Sequence, residues 1–313
     1  MSKVILTEYN VTNPLLKKET SIASFADVHG DYTKLELIKD IIKELKVTAV
    51  LIQGDLIESV LGTDYSRERI AELLVDISKF SKVIFEFGNH DTVYTPAEPE
   101  EDRERLLTNN INYWNNLSSI DNIYIPSNAN SSPSTSHIEL SSDIEVSTIS
   151  FPPDYYWFHE RKEDFEEYMR KLEIIKLDLQ KFNILLAHSP KNIVNGSTID
   201  ERFREYNLIL SGHMHAGMIP TCLRNRSRVG LLGPGKSVFP PNSYGIVKDG
   251  NTISVTTGGV SKISASNIAA PLNTKAGFKQ LLRRVYPPEL EIYKLNPGNN
   301  NSISKIKSYK IKD

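Results

Sequence analysis

Hydrophobic positions along this chain fall into two rhythms. Apolar runs of strand length stand at Thr20–Phe25, Ala49–Ile52 and Val83–Phe87. Between them, Leu35, Ile38, Ile41, Ile42 and Leu45, and then Ile70, Leu73, Leu74, Ile77 and Phe80, recur at the spacing of one helix face. The order predicted is β-α-β-α-β, with Asp31 placed to cap the first helix. Further strand-like runs follow at Ile144–Phe151, Ile184–Ala187, Leu208–Leu210, Ile253–Thr256 and Leu290–Leu295. Phe165, Tyr168, Met169, Leu172, Ile175 and Leu179 predict a helix with one apolar side. An acidic run spans Glu98–Glu104, an aromatic, Asn-rich helix is predicted around Tyr113 and Trp114, and Ser127–Ser136 reads as a surface loop or hairpin tip. Beyond Asn296, Asn, Ser and Lys dominate, so residues 297–313 are expected to form a loosely held tail.

Polar strings sit just past the ends of the predicted strands. They are Asp27-Val28-His29, Gly54-Asp55, Gly88-Asn89-His90-Asp91, His188 and Gly212-His213-Met214-His215. In sheets covered by helices, ligand sites lie at the carboxyl ends of strands, and five of the seven histidines are gathered in these strings. Carboxylate oxygen, one amide oxygen and neutral imidazole suit a divalent Mn, Fe, Co, Ni or Zn ion. Asp27 and His29, two apart on a chain leaving a strand, can reach one ion from the same edge; His213 and His215 repeat the pattern. Glycine before Asp55, Asn89 and His213 allows a sharp turn and close backbone approach.

Composition narrows the setting. The chain has 313 residues, 39% of them hydrophobic, and a formal charge of −2, which gives no general attraction to nucleic acid. A single cysteine, Cys222, excludes a disulfide within the chain and reads as a small apolar side chain. Met1–Lys18 lacks a signal-like apolar run and no 18-residue apolar stretch occurs, so a cytoplasmic location is expected.

The ordered set FADVHGD, QGDLIES, FGNHD, LLAHSP and SGHMHAG resembles the calcineurin-like metallophosphoesterase superfamily. That resemblance implies a four-layer α-β-β-α sandwich of two mixed sheets flanked by helices. It implies one ion held by Asp27, His29 and His215, a second held by Asn89, His188 and His213, and Asp55 bridging the two. Glu58 stands where many members have Asp, at a position that is not usually a ligand. The charges are consistent with this set, since two divalent ions, two carboxylates and one hydroxide leave the centre singly positive and attractive to a phosphoryl oxygen. A bridging hydroxide, formed because metal coordination lowers the pKa of water toward about 7, is expected to attack phosphorus in line. His90 is expected to protonate the leaving oxygen, with Asp91 orienting that imidazole or a nearby backbone.

Other motifs are weaker. Gly230–Ser237 matches the pattern of a P-loop, but Pro240, Pro241 and Asn242 cannot continue the helix that a P-loop must open into. A turn near the substrate mouth is expected instead, with Lys236 as a candidate phosphate contact. His159 follows Tyr155–Phe158 in a Pro-rich loop and is a candidate lid residue, whereas His137 reads as structural. The end of the chain resembles the YkuE/YaeI-like bacterial phosphoesterases, some linked to lipid-linked pyrophosphates such as UDP-diacylglucosamine. Lys262–Asp313 holds ten Lys/Arg against three acidic residues, which raises peripheral contact with an anionic membrane as an alternative to a solvated strand. The expectation is one catalytic domain over 1–296, with an inserted lid about 92–181, that hydrolyses a phosphodiester or related bond of a small or lipid-linked substrate. Manganese is the expected ion. A pyrophosphatase acting on a UDP-lipid, a DNA nuclease and a metal-dead scaffold are the alternatives.

Overall fold

The computed structural model describes residues 3–57, 64–91, 109, 112–126, 133–152, 155–156, 160–172, 176–219, 223–224, 226–234, 237–260 and 288–312. Two mixed sheets face each other. The first has seven strands in the order β15-β1-β14-β2-β3-β4-β5, namely β1 (Lys3–Asn13), β2 (Thr20–Phe25), β3 (Ala49–Gln53), β4 (Lys82–Glu86), β5 (Ile123–Tyr124), β14 (Glu289–Pro297) and β15 (Ser302–Lys312). The second has six in the order β12-β13-β11-β8-β7-β6: β6 (Ser134–Ser141), β7 (Ile144–Ser150), β8 (Phe182–Ala187), β11 (Leu208–Ser211), β12 (Gly245–Asp249) and β13 (Thr252–Thr256). A two-residue hairpin, β9 (Val194–Asn195) and β10 (Thr198–Ile199), lies apart.

Period-two alternation explains the layering, because successive side chains of a strand point to opposite faces. Val50 and Ile52 of β3 pack outward against helices α1 (Tyr32–Leu45) and α2 (Asp64–Ser78), while Ala49 and Leu51 face the second sheet. In β8, Ile184 and Leu186 meet that same central layer; Leu185 and Ala187 pack outward with Phe165 of helix α4 (Lys162–Lys171). Both faces of the strands are therefore buried, as continuous apolar runs demand. Asp31 caps α1, its carboxylate accepting the Lys34 N–H at 3.2 Å, and Lys46 closes the helix in the left-handed region with φ 53°. A short helix, α3 at 112–118, carries Trp114 against Phe85 and Phe87.

Three expectations are corrected. Over the described residues 297–312 the expected loose tail at 297–313 is not found: β15 pairs antiparallel with β1 from Lys3↔Lys312 to Thr12↔Ser302 and closes the sheet edge. Its alternation of Ile303 and Tyr309 with Lys and Ser is that of a half-exposed edge strand, masked in the sequence by its lysines, which themselves blunt a sheet edge. Within the stretch read as a lid, β6, β7 and α4 belong to the body of the fold, and Ser134–Ser136 lie in β6. The helix predicted to reach Leu179 ends at Lys171, and Leu179 is exposed. Residues 98–104, 127–132 and 222 lie outside the described residues. Among the described residues, no helix is long and apolar enough to cross a membrane.

Candidate metal centre

Strands β2, β3 and β4, parallel to one another, end side by side, and so do the parallel strands β8 and β11 of the second sheet. The polar strings leave those ends and are stapled together by their own backbones. Asp27 N–H donates to Gly54 O at 3.0 Å, His29 N–H to Asp55 O at 2.9 Å, and Gly212 N–H to His188 O at 2.8 Å. Side chains complete the lattice, since Asp55 Oδ1 accepts the His90 N–H at 2.8 Å and Asp27 Oδ1 accepts the His213 N–H at 3.1 Å. The backbone is bent hard to do this. Asp27, His29, Asp55, His213 and His215 all have positive φ, between 45° and 64°. Asp and His tolerate that region better than most residues, but five in one site is strain gathered where function would need it. Gly88 shows why a smaller residue is required next door: a Cβ there would strike the Asp55 carboxylate and backbone.

Two clusters of ligand-type atoms result, joined at Asp55. In the first, Asp27, His29 and His215 converge, with His29 Nε2 and His215 Nε2 3.3 Å apart. In the second, His188 Nε2 stands 3.0 Å from His213 Nδ1 and 3.1 Å from Asn89 Oδ1. Asp55 Oδ2 lies 3.6 Å from His29 Nε2 and 3.4 Å from His188 Nε2, so a single carboxylate oxygen reaches both. Donors about 2.1 Å from a common ion sit about 3.0–3.4 Å from one another, and all of these separations but that of His29 from Asp55, at 3.6 Å, fall in that range. Orphaned atoms point the same way. Asp27 Oδ2 and His215 Nδ1 are buried with no hydrogen-bond partner among the described residues. The residues present therefore fit a pair of divalent ions.

Electrostatics agree with a demand for positive charge. Burial opposes charge on Asp55, yet His188, His90 and His29 around it hold its carboxyl well below the ordinary range. Burial also opposes protonation of His188, but the Asp55 and Asp27 carboxylates outweigh it and raise that imidazole to about 10. His215 goes the other way: burial, reinforced by His29 and His213, lowers it to about 4 despite Asp27 and Asp55. Tautomers are set from outside the clusters. Gln53 O accepts from His188 Nδ1 at 2.7 Å, leaving the Nε2 lone pair of the neutral ring to face Asn89, Asp55 and His213.

His90 stacks edge-on against His29, with centroids 4.6 Å apart, and is grouped with His29 and Asp55. Asp91 serves a nearby backbone. Its carboxylate accepts the N–H groups of Asp55, Leu56, Ile57 and Gly88 at 2.6–3.1 Å, which ties the turn after β3 to the turn after β4. Burial and the Asp55 charge push Asp91 up to about 7 against the pull of those backbone donors. His137, on β6, is bound to Ser147 and Glu145 away from the centre. Glu58, His159 and Lys236 lie outside the described residues. Around them, Leu232 and Val238 form a bridge, Gly233 N–H bonds Ser237 O, and no helix follows Ser237 among the described residues, so the P-loop likeness is one of letters only.

Two residues escaped the sequence reading. Glu160, fully buried with φ 52°, places Oε2 3.6 Å from His213 Nε2, so that Nδ1 of the same ring faces the second cluster. Burial works against its charge, but His213 and Ser189 hold it below the usual carboxylate range. Tyr156 packs its ring tilted against His213 and edge-on against His188, centroids 5.5 and 5.6 Å away, and its buried hydroxyl has no partner among the described residues. The one available signal was the aromatic loop Tyr155–His159, which drew attention to His159 instead of its neighbour.

Several solved structures are similar to this chain at low sequence identity. A predicted phosphoesterase from Streptococcus pneumoniae TIGR4 is 15% identical, with 79% of this chain and 76% of that one covered, at a TM-score of 0.29. A dimetal phosphatase from Danio rerio is 12% identical over 79% and 88%, at 0.42. Purple acid phosphatase PPD1 from yellow lupin is 12% identical over 79% and 45%, also at 0.42. No curated protein matches the chain. The family model of calcineurin-like phosphoesterases matches residues 20–217, a span that runs from the first residue of β2 to just past His215 and so contains every candidate ligand, and the chain belongs to that family.

Proposed function

We propose that this chain is a dinuclear metal-dependent phosphohydrolase, with a phosphodiester as the substrate class to which the site is best suited. The observation that carries the reading is Asp55 Oδ2, 3.4 Å from His188 Nε2 and 3.6 Å from His29 Nε2, a carboxylate shared between two clusters. Asp27, His29 and His215 would hold one ion and Asn89, His188 and His213 the other. When bound, the ions supply Lewis-acid activation of water and neutralise phosphoryl charge.

The protein's own groups do the rest. Neutral Asn89 in place of a third carboxylate keeps the mouth of the site from repelling an anionic substrate. His90, half-exposed and fixed through its backbone to Asp55, is positioned to hand a proton to a leaving alkoxide or aryloxide. Asp91 keeps the His90 turn in register by its four backbone bonds, acting on position and not on the substrate. Glu160 and Gln53 O hold the two imidazoles of the second cluster in the tautomers that face it.

His90 serves the leaving oxygen of a monoester and a diester alike; what favours the diester is charge, since two divalent ions with two carboxylates and one hydroxide would leave a single positive charge to match a singly negative ester. The test is hydrolysis by manganese-loaded protein of bis-aryl phosphate, aryl phosphate, cyclic nucleotides and a UDP-lipid. Fastest turnover of the bis-aryl ester, with loss in Asp55→Asn and a deep drop in His90→Ala, supports the proposal. Preference for the UDP-lipid would move the substrate class to pyrophosphates, and no turnover of any ester by metal-replete protein would overturn the enzymatic reading.

A further inference from the structure

Away from the metal centre, the free edges of the two sheets leave a cleft of about 380 Å³ between them. Tyr9 of β1 and Lys305 of β15 contribute from one sheet, and Arg224, Arg226, Arg228 and Tyr244, from the connection leading into β12, close it from the other. Four cationic side chains thus line a single concavity, and no acidic residue is among the described residues that line it. None of the candidate metal ligands takes part.

The cations are only partly answered from within. Glu289, buried behind the cleft, accepts from Tyr244 Oη at 2.9 Å and Thr7 Oγ1 at 2.8 Å, and lies 3.4 Å from Arg224 Nη1. That accounts for one positive charge. Arg226 and Arg228 have no carboxylate partner among the described residues: Arg228 donates only long bonds, to Ile246 O at 3.5 Å and Ser197 Oγ at 3.4 Å. Like charges confined together repel unless an anion joins them, so Arg226 and Arg228, without a carboxylate partner among the described residues, focus a positive field in the concavity.

Arg224 supplies the fixed floor. It is 6% exposed, its guanidinium lies 5.0 Å from the Tyr244 ring centroid, and Nε donates to Ile219 O at 3.3 Å. Nη2 has no hydrogen-bond partner among the described residues, which leaves donors of a rigid fork for a ligand. Such forks match tetrahedral oxyanions in paired N–H···O bonds, and the volume is within the range of small-molecule sites, about 300–1,000 Å³.

We propose that this cleft is a second binding site, separate from the metal centre, for a phosphate-type oxyanion, either free or as the phosphate of a nucleotide. Its floor has a path to the first site. A Cβ on Gly258 would meet Glu289 Oε2 at 2.6 Å and Arg224 Nη1 at 2.8 Å, and a Cβ on the adjoining Gly259 would meet Asp27 Oδ2 at 2.8 Å. Two successive glycines therefore separate the Arg224–Glu289 pair from a candidate metal ligand.

The test is equilibrium dialysis with labelled inorganic phosphate and with ADP, at low salt, on manganese-loaded protein and on protein stripped by chelator. One saturable site is expected to survive stripping. It should weaken about 100-fold in Arg226→Gln/Arg228→Gln, because two charge-assisted contacts are lost at about tenfold each, and weaken also on raising the salt. The Arg226→Lys/Arg228→Lys variant keeps the charge without the fork and should fall between; it also serves if the glutamine variant fails to fold. Tighter binding of ADP identifies a nucleotide as the ligand, and equal or tighter binding of inorganic phosphate identifies the free ion. Absence of saturable binding to the stripped protein, or affinity unchanged in both arginine variants, would overturn the proposal, whatever the outcome of the hydrolysis assays.

Discussion

Two networks of buried carboxylates meet across Gly258–Gly259, one at Asp27 and the other at Glu289, and the same physics treats Asp55 of the first and Glu291 of the second oppositely. On one side, Asp55 is surrounded by His188, His90 and His29 and is held well below the ordinary carboxylate range. On the other, Glu291 has Glu289 and Tyr293 for neighbours, and burial followed by the Glu289 charge pushes it up to about 8. Both are fully buried. The difference lies in the balance around them: three imidazoles outweigh the neighbouring Asp91 in one case, whereas burial and a second carboxylate outweigh Lys305 and the Tyr293 hydroxyl in the other. Burial alone thus predicts neither a metal centre nor a structural network, and the neighbours decide.

The comparison can be broken from either side. The largest effect is expected at the shared carboxylate. Asp55→Asn removes a charge that both clusters use, and kcat on a bis-aryl phosphate should fall by about 1,000-fold, read by steady-state kinetics at saturating manganese. An effect under tenfold would mean that the two clusters do not act through Asp55. Next comes Glu160→Gln, which keeps the shape but removes the charge beside His213. Metal affinity or activity should drop about 10- to 100-fold, with partial recovery at high manganese and little change in melting temperature. Loss of folding without loss of metal affinity would make Glu160 structural only.

On the other side of the glycine pair, the expected effect is on stability. Glu291 has a folded pKa near 8 against an ordinary value of 4.5, so the native state binds more protons than the unfolded state between those values. Its contribution is fully present below about pH 4.5 and is lost as pH rises toward 8, with a slope of at most about 1.4 kcal/mol per pH unit. Denaturant unfolding at several pH values should show that slope, and Glu291→Gln should flatten it. Smallest is the edge of the same sheet. Lys307, about half exposed, sits 2.9 Å from Glu8, and Lys307→Gln should leave the melting temperature almost unchanged, because solvent screens the pair.

What the sequence made legible follows from the same contrast. Period-two and helical spacing located β2, α1, β3, α2 and β4 to within a residue or two at most ends, because their side chains are buried on one face or both. The strings at those strand ends named Asp27, His29, Asp55, Asn89, His188, His213 and His215, and the fold brings all seven together. Those residues lie within a few positions of a strand end, where geometry is local. Glu160 was not legible, since its only link to the centre is a contact with His213, 53 positions away in sequence, and a single Glu after an aromatic loop has no pattern. The cleft arginines failed for a related reason. Arg224, Arg226 and Arg228 stand at alternate positions of a connection, and only the pairing of β15 with β1 brings Lys305 opposite them. The edge strand itself was hidden because one face meets solvent, so that its lysines outweigh its alternation.

The central claim is that one carboxylate joins two cation sites. It is tested most directly by an anomalous difference map, at the manganese edge, from crystals of the manganese-loaded protein. Two peaks are expected, both within bonding distance of the Asp55 carboxylate, one against Asp27, His29 and His215 and the other against Asn89, His188 and His213. A single peak, or two peaks of which only one touches Asp55, would contradict it.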